Sequence, residues 1–260
     1  MKIINVPNTQ LKISKFIFGT GRIVNVYSKL KRQNILRHAL DCGFTHFDTA
    51  PYYGFGNSEK DLGDLIKNNN FTVTTKVGLY PNGGTDQSML NVFLRKSAGK
   101  IFKNISKVEI DFNLNKAKNS LDQSLKRLKK ETIDFFALHE GNYNLIKLDE
   151  WMRWIEDIKK EGKIKYFGTS SNLENLKSFS QDNSYKVFDI IQIQDSLEDK
   201  EADIIKKYNL KLQITYGYLS RKKKIDRNEE NIQKIIKRNS NGAIIVSSRN
   251  LENIKIFSKF

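Results

Sequence analysis

Cysteine, proline and long apolar runs are what this sequence has least of. Cys42 is its only cysteine, so no disulfide can form within the chain and no cysteine cluster can hold zinc. It has 3 prolines in 260 residues, and no Pro/Ser/Gly-rich stretch that would serve as a linker. No internal repeat is visible either, which favours a single domain over residues 1–260. No run approaches the ~18 apolar residues of a membrane span. The opening M-K-I-I-N-V-P-N-T-Q has a lysine but lacks the apolar stretch of a signal peptide. The expectation is a cytoplasmic protein with no membrane partner.

Hydrophobic residues make up 38 % and aromatics 11 %, enough to bury a core. Charge is one-sided, with 45 Lys+Arg against 29 Asp+Glu and a net +16. A positive field attracts anions, nucleic acid among them. The basic residues are nevertheless scattered along helical segments (Lys126, Arg127, Lys129, Lys130, Lys159, Lys160). The one dense cluster, Arg221-Lys222-Lys223-Lys224, has no interleaved aromatics of the kind single-strand binders use. A phosphorylated small molecule suits this distribution better than nucleic acid.

Short apolar runs alternate with amphipathic segments along the chain. The pattern predicts strands at Phe16–Gly19, Thr45–Thr49, Thr72–Val77, Ile133–Leu138, Ile164–Gly168, Val187–Ile193, Lys211–Thr215 and Ala243–Val246. Helices are predicted at 29–41, 58–68, 115–129, 148–161, 173–179, 198–208 and 228–238, with a last one beginning near Asn250 and cut off by the chain's end. Strand and helix in strict alternation without a linker predict an α/β fold, a (β/α)8 TIM barrel. Lys2–Val6 and Gln10–Lys15 add an N-terminal hairpin across Asn8-Thr9. A doubly wound dinucleotide-binding sheet would need G-x-G-x-x-G after the first strand; Gly19 and Gly21 supply two glycines, but Val24 holds the third place. About forty residues follow Lys76 before the next helix, far more than a usual βα loop, either as a cover for a substrate or as an insertion.

Barrel enzymes place catalytic groups at the C-terminal ends of strands. Here those ends carry Asp48, with Tyr53 in the loop beyond, then Thr75-Lys76, then Leu138-His139-Glu140. A phenol with an ordinary pKa near ~10 is a poor acid at neutral pH unless a cation favours its phenolate. A buried lysine supplies the cation, an aspartate keeps it charged, and a histidine can donate to a carbonyl oxygen as it becomes an alkoxide. Such a set protonates a carbonyl while hydride reaches carbon, and the hydride must come from a nicotinamide cofactor. Taken singly, such an Asp48 is more often a helix cap or loop brace, Tyr53 more often packing and His139 more often a satisfied polar group than a catalyst. Lys76 resists such a reading, since a buried lysine is rare unless paired. His46, facing away from the neighbours of Asp48 or inside its strand, and His38, on a helix, are expected to be structural.

F-D-T-A-P-Y-Y-G-F-G-N-S-E-K-D-L-G, V-T-T-K-V-G, I-D-F-F-A-L-H-E and G-K-I-K-Y-F-G-T-S-S-N, in this order, resemble the aldo-keto reductase superfamily, and its sugar-acting aldose dehydrogenases in particular. The resemblance runs from about Gly19 to the last strand. It implies a TIM barrel, NADPH or NADH bound without a Rossmann fold, and a catalytic tetrad of Asp48, Tyr53, Lys76 and His139, with Tyr53 as the proton donor. For the cofactor it implies Gly19, Ser170 and Gln192 near the nicotinamide and Tyr216 stacked on its ring. The cofactor-binding set also takes in Ser171, which stands where the family has Asn, and Asn172, which comes one place late. The loop with Gly217, Leu219 and Arg221 would meet the pyrophosphate. Ser247, Ser248, Arg249, Glu252 and Asn253 resemble the segment around the adenosine phosphate, where an arginine suits a phosphate monoester and favours NADPH.

The segment from Tyr216 to Ala243 is short for the family, and its C-terminal tail is missing. A more open pocket follows, or one completed by the long loop or by a partner subunit of a homo-oligomer. The expected activity is NAD(P)H-dependent interconversion of a carbonyl and an alcohol on a sugar or a small aldehyde or ketone. The alternative is a catalytically weak or inactive barrel serving as a binding or regulatory subunit.

Overall fold

A computed structural model describes residues 1–66, 70–88, 90–91, 94, 108–219 and 228–260. Strands β1 (Ile3–Asn5) and β2 (Lys12–Ser14) pair as an antiparallel hairpin. There follow β3 (Phe16–Gly19), α1 (Lys29–Asp41), β4 (His46–Asp48), α2 (Asn57–Ile66), β5 (Thr72–Val77) and an antiparallel ribbon of β6 (Leu79–Pro81) and β7 (Val108–Ile110). Next come α3 (Leu114–Leu128), β8 (Ile133–His139), α4 (Leu148–Lys160), β9 (Ile164–Ser171) and α5 (Leu173–Ser178). The last elements are β10 (Ile190–Gln194), α6 (Ile204–Lys207), β11 (Ile214–Tyr216), α7 (Glu229–Arg238), β12 (Ala243–Val246) and α8 (Leu251–Lys255). The parallel strands β3, β4, β5, β8, β9, β10, β11 and β12 close in that order into a barrel.

Alternation along each strand sorts its side chains between two cores. Phe18, Phe47, Val73, Phe136, Leu138, Phe167, Ile191 and Ile193 point outward and pack beneath the helices. Ile17, Phe135, Ala137, Ile190, Ile214 and Ala243 point inward. Val6, Leu11 and Ile13 of the hairpin join the inner group, so the hairpin plugs the end of the barrel where the strands begin. At that end Lys15 is buried and donates to the carbonyls of Asn239, Ser240 and Gly242. The opposite end, where the strands finish, is left for a site.

Polar caps set the helix starts. Ser28, Asn113, Asn172, Asn228 and Asn250 each accept from a backbone N–H of the first turn, satisfying donors that the helix itself leaves unpaired. Predicted and observed bounds differ most at α6, predicted over 198–208 but formed only over Ile204–Lys207 after a 3-10 turn at Glu201–Asp203, while β10 and β11 each begin three residues late, at Ile190 and Ile214. The last helix is short yet complete in its packing: a 3-10 turn carries it to Lys259, and Phe257 is buried with its ring 4.8 Å from that of Phe16. The long connection after Lys76 starts and ends as the ribbon β6–β7, and between these strands only residues 82–88, 90–91 and 94 are among those described. Neither ribbon strand lines the cavity at the end where the barrel strands finish. No described helix is long and apolar enough to cross a membrane.

Helices α2 and α3 touch backbone to backbone. A Cβ on Gly63 would lie 2.1 Å from the carbonyl oxygen of Arg127. Gly63→Ala, which raises helix propensity, is therefore expected to destabilise by about 1–3 kcal/mol. Thermal denaturation should show a fall of several degrees; an unchanged or higher midpoint would show that the two helices part freely.

Candidate active site

The inward register of six of the barrel strands brings one polar side chain each to the open end. Gly19 lies beside Asp48, Asp48 beside Thr74, Lys76 beside Ala137, and His139 beside Ser170. Counted by twos, Asp48, Lys76, His139, Ser170, Gln192 and Tyr216 all continue the inward rows of their strands. His46 shares the face of Asp48, one layer deeper, rather than facing away from it. Its ring nitrogens lie 2.7 Å from the hydroxyls of Thr72 and Thr74. Burial lowers its pKa to about 4, a neutral ring held by two threonines. His38 contacts the carbonyl of Leu251 on the outside.

Lys76 is buried and donates to Asp48 Oδ1 at 2.7 Å, to the Thr49 carbonyl at 2.9 Å and to the Tyr53 hydroxyl at 3.5 Å. The other carboxylate oxygen, Oδ2, accepts from Gln192 Nε2 at 3.1 Å. Tyr53 reaches this group because its loop turns back through positive φ at Gly54 (+61°), Phe55 (+58°) and Gly56 (+86°). A Cβ on Gly54 would also lie 2.7 Å from Val24 Cγ1, so glycine is required there twice over. His139 meets the Tyr53 ring edge-on at 5.7 Å. Tyr52 does not line the cavity that these groups share.

The electrostatics differ from the expectation that Lys76 favours the phenolate. Burial raises the pKa of Tyr53; Lys76 opposes the rise, while Asp48 and Glu140 add to it. Asp48 sits on the lysine and answers its charge, so the phenol keeps its proton. Burial pulls Lys76 down, but Asp48 and Tyr53 more than offset this and its pKa rises. His139 is held well below the usual imidazole value by burial and by Lys76, so its ring is neutral at pH 7. The arrangement can donate a proton from oxygen and a hydrogen bond from a neutral ring to one acceptor at the mouth.

The cavity that these groups share, 180 Å³, is also lined by Gly19, Ser170, Gln192, Tyr216 and Ser247. Gln192 Nε2 donates to Ser170 Oγ at 2.9 Å, while among the described residues its buried Oε1 has no partner, and neither does the buried Ser247 Oγ. Ser248, Arg249 and Asn253 line a neighbouring polar pocket of 450 Å³.

The structure differs from expectation at the end of β9. Ser171 falls on the outward row, buried with its Oγ 2.5 Å from Thr169 Oγ1. Asn172 caps α5 through Asn175 N, and neither residue lines the cavity. Glu252 is exposed and lines neither pocket. Gly217 turns the chain after β11 with φ +111°, Leu219 packs on the outer core, and Arg221 lies outside the described residues. Sequence reasoning missed Arg22, which borders both pockets. The available signal was its place in the loop directly after the first barrel strand, on the face where sites form.

A model of the aldo/keto reductase family matches residues 15–216. L-galactose dehydrogenase of Arabidopsis thaliana is 27 % identical over 171 residues, 62 % of this chain and 46 % of that protein. The NADH-specific methylglyoxal reductase of Escherichia coli is 28 % identical over 216 residues, 78 % of this chain and 61 % of that one. The chain thus spans about half the length of the curated relatives it matches. Among solved structures, an aldo-keto reductase of Bacillus halodurans in its holo form superposes with a TM-score of 0.71 at 20 % identity, covering 100 % of this chain and 90 % of that one. The matched segment runs through the strands and loop that carry Asp48, Tyr53, Lys76 and His139, and by that match the chain belongs to the aldo/keto reductase family.

Proposed function

We propose that this chain is an oxidoreductase that interconverts a carbonyl and an alcohol with a nicotinamide dinucleotide, Tyr53 being the proton donor and acceptor. The observation that carries this reading is the linked set Asp48–Lys76–Tyr53, buried at the lysine and open at the phenol, with neutral His139 beside it. A buried lysine is costly unless it is paired, and this one is paired so that its third contact is a phenol at a cavity wall. The dinucleotide, when bound, supplies the hydride. The residues present fit it: Gln192 Oε1 is a buried acceptor with no partner among the described residues, suited to an amide N–H, and Tyr216 offers an aromatic wall.

For the phosphates, Arg22 and Arg249 line one pocket together with Ser248, Asn250 and Asn253. Guanidinium and hydroxyl groups recognise a phosphate monoester, which favours NADPH over NADH. The names of the relatives, a galactose dehydrogenase and a methylglyoxal reductase, support a sugar or another small carbonyl compound as substrate.

The reading is tested by titrating the protein with NADPH and with NADH. Trp151 and Trp154 are both buried on α4, away from the mouth, so thermal shift and the emission of the dinucleotide are better readouts than tryptophan quenching. NADPH is expected to bind saturably, and at 100 times its Kd to stabilise the fold by about 2.7 kcal/mol. Arg249→Ala should weaken NADPH by about tenfold, the loss of one charge-assisted contact, and NADH much less. Failure of both dinucleotides to bind at millimolar concentration would overturn the reading.

A further inference from the structure

We propose that Glu140 is a positioning residue that anchors Tyr216 and, through its charge, tunes the site toward the oxidised nicotinamide; this rests on the oxidoreductase reading above. Glu140 follows His139 directly and takes φ +54°, a left-handed conformation that a glutamate seldom adopts. The turn brings its side chain to the wall of the catalytic cavity. One carboxylate oxygen, Oε1, accepts from the Tyr216 hydroxyl at 3.2 Å. The other, Oε2, accepts from the backbone N–H of Asn172 and from Asn175 Nδ2, both at 3.0 Å. Its own N–H donates to the Ser170 carbonyl at 2.8 Å.

Two acids line this cavity, Asp48 and Glu140, and they are not equivalent. Asp48 is matched by Lys76 at 2.7 Å. The partners of Glu140 are a phenol, an amide N–H and a carboxamide, none of them cationic. Its negative charge is therefore held in place by neutral groups, beside the aromatic side chain against which the ring would rest, while Arg22 lines the same cavity without an ion pair to it. A nicotinamide ring carries a positive charge when oxidised and none when reduced, so a fixed carboxylate near it favours the oxidised form.

The same contacts explain the end of β9. Asn172, one place beyond its position in the family pattern, holds Glu140 with its backbone N–H and caps α5 with its side chain. That cap orients Asn175, whose amide completes the hold on the carboxylate.

The test is calorimetric titration of the full chain with NADP+ and with NADPH, comparing wild type with Glu140→Gln and Glu140→Ala. Glu140→Gln keeps an acceptor for Tyr216 and removes the charge. It is expected to weaken NADP+ by about three- to tenfold and to leave NADPH within about twofold, moving the ratio of the two Kd values. Glu140→Ala also releases the phenol and should weaken both forms. A ratio unmoved in Glu140→Gln, whether both Kd values hold or both rise together, would overturn this inference alone. A wild-type chain that binds neither form would overturn the oxidoreductase reading, and this inference with it.

Discussion

Replacing Tyr53 by phenylalanine should lower carbonyl-reducing turnover by about 10²–10⁴-fold, the range that a positioned general acid supplies. The substitution removes one oxygen and leaves the ring that packs over Gly21 and against His139. The fold and the affinity for the dinucleotide should therefore stay close to wild type. The proton donor also dictates the pH dependence. Reduction needs the protonated phenol, and burial raises the pKa of Tyr53 above its ordinary value, so the active form persists up to and beyond pH ~10. His139 is held well below the usual imidazole value, so it stays neutral through the range where a free histidine would titrate. The reduction rate of the wild type should then show no step near pH 6–7, and any alkaline fall in kcat should be absent from the residual rate of Tyr53→Phe. A step near pH ~6.5 that vanishes in His139→Asn would instead make the imidazole the acid.

The eight barrel strands and the hairpin were legible because each is a compact apolar run with turn residues on either side. The inward or outward sense of each residue was not, because counting in twos needs a core position to start from. That count puts Gln192 and Ser170 inside and Ser171 outside, yet it had to be anchored by knowing which phenylalanines face the helices. His46 shows the limit. Its strand has three residues, too few for a period to declare itself, and only Thr72 and Thr74 on β5 reveal that it shares the face of Asp48. Tyr53 and Glu140 depend on backbone turns with positive φ, which a non-glycine residue does not announce. Glu140 therefore read as a strand-end neighbour of the histidine, and its three neutral partners came into view only in three dimensions.

Lys76→Met is expected to cost both turnover and stability, and the two losses should separate in a second variant. Removing the ammonium strands the Asp48 carboxylate at a site where both side chains are no more than 5 % exposed. Breaking a buried pair from one side costs about 3–5 kcal/mol, which in a protein of this size lowers the thermal midpoint by roughly 6–10 °C. Asp48→Asn/Lys76→Met removes both charges; an asparagine oxygen still accepts from Gln192 Nε2, the contact now made by Asp48 Oδ2. Because a neutral replacement of a buried pair is often no less stable than the pair, the double variant should regain most of the lost midpoint. It should regain none of the activity, since the phenol then has no cation near it to take up the charge left when its proton goes. A double variant as unstable as Lys76→Met would place the cost in packing at the mouth rather than in the stranded charge. A double variant that turns over like the wild type would remove Lys76 from the chemistry. Stability restored without turnover would identify the ion pair as a feature that folding does not need and that proton transfer does.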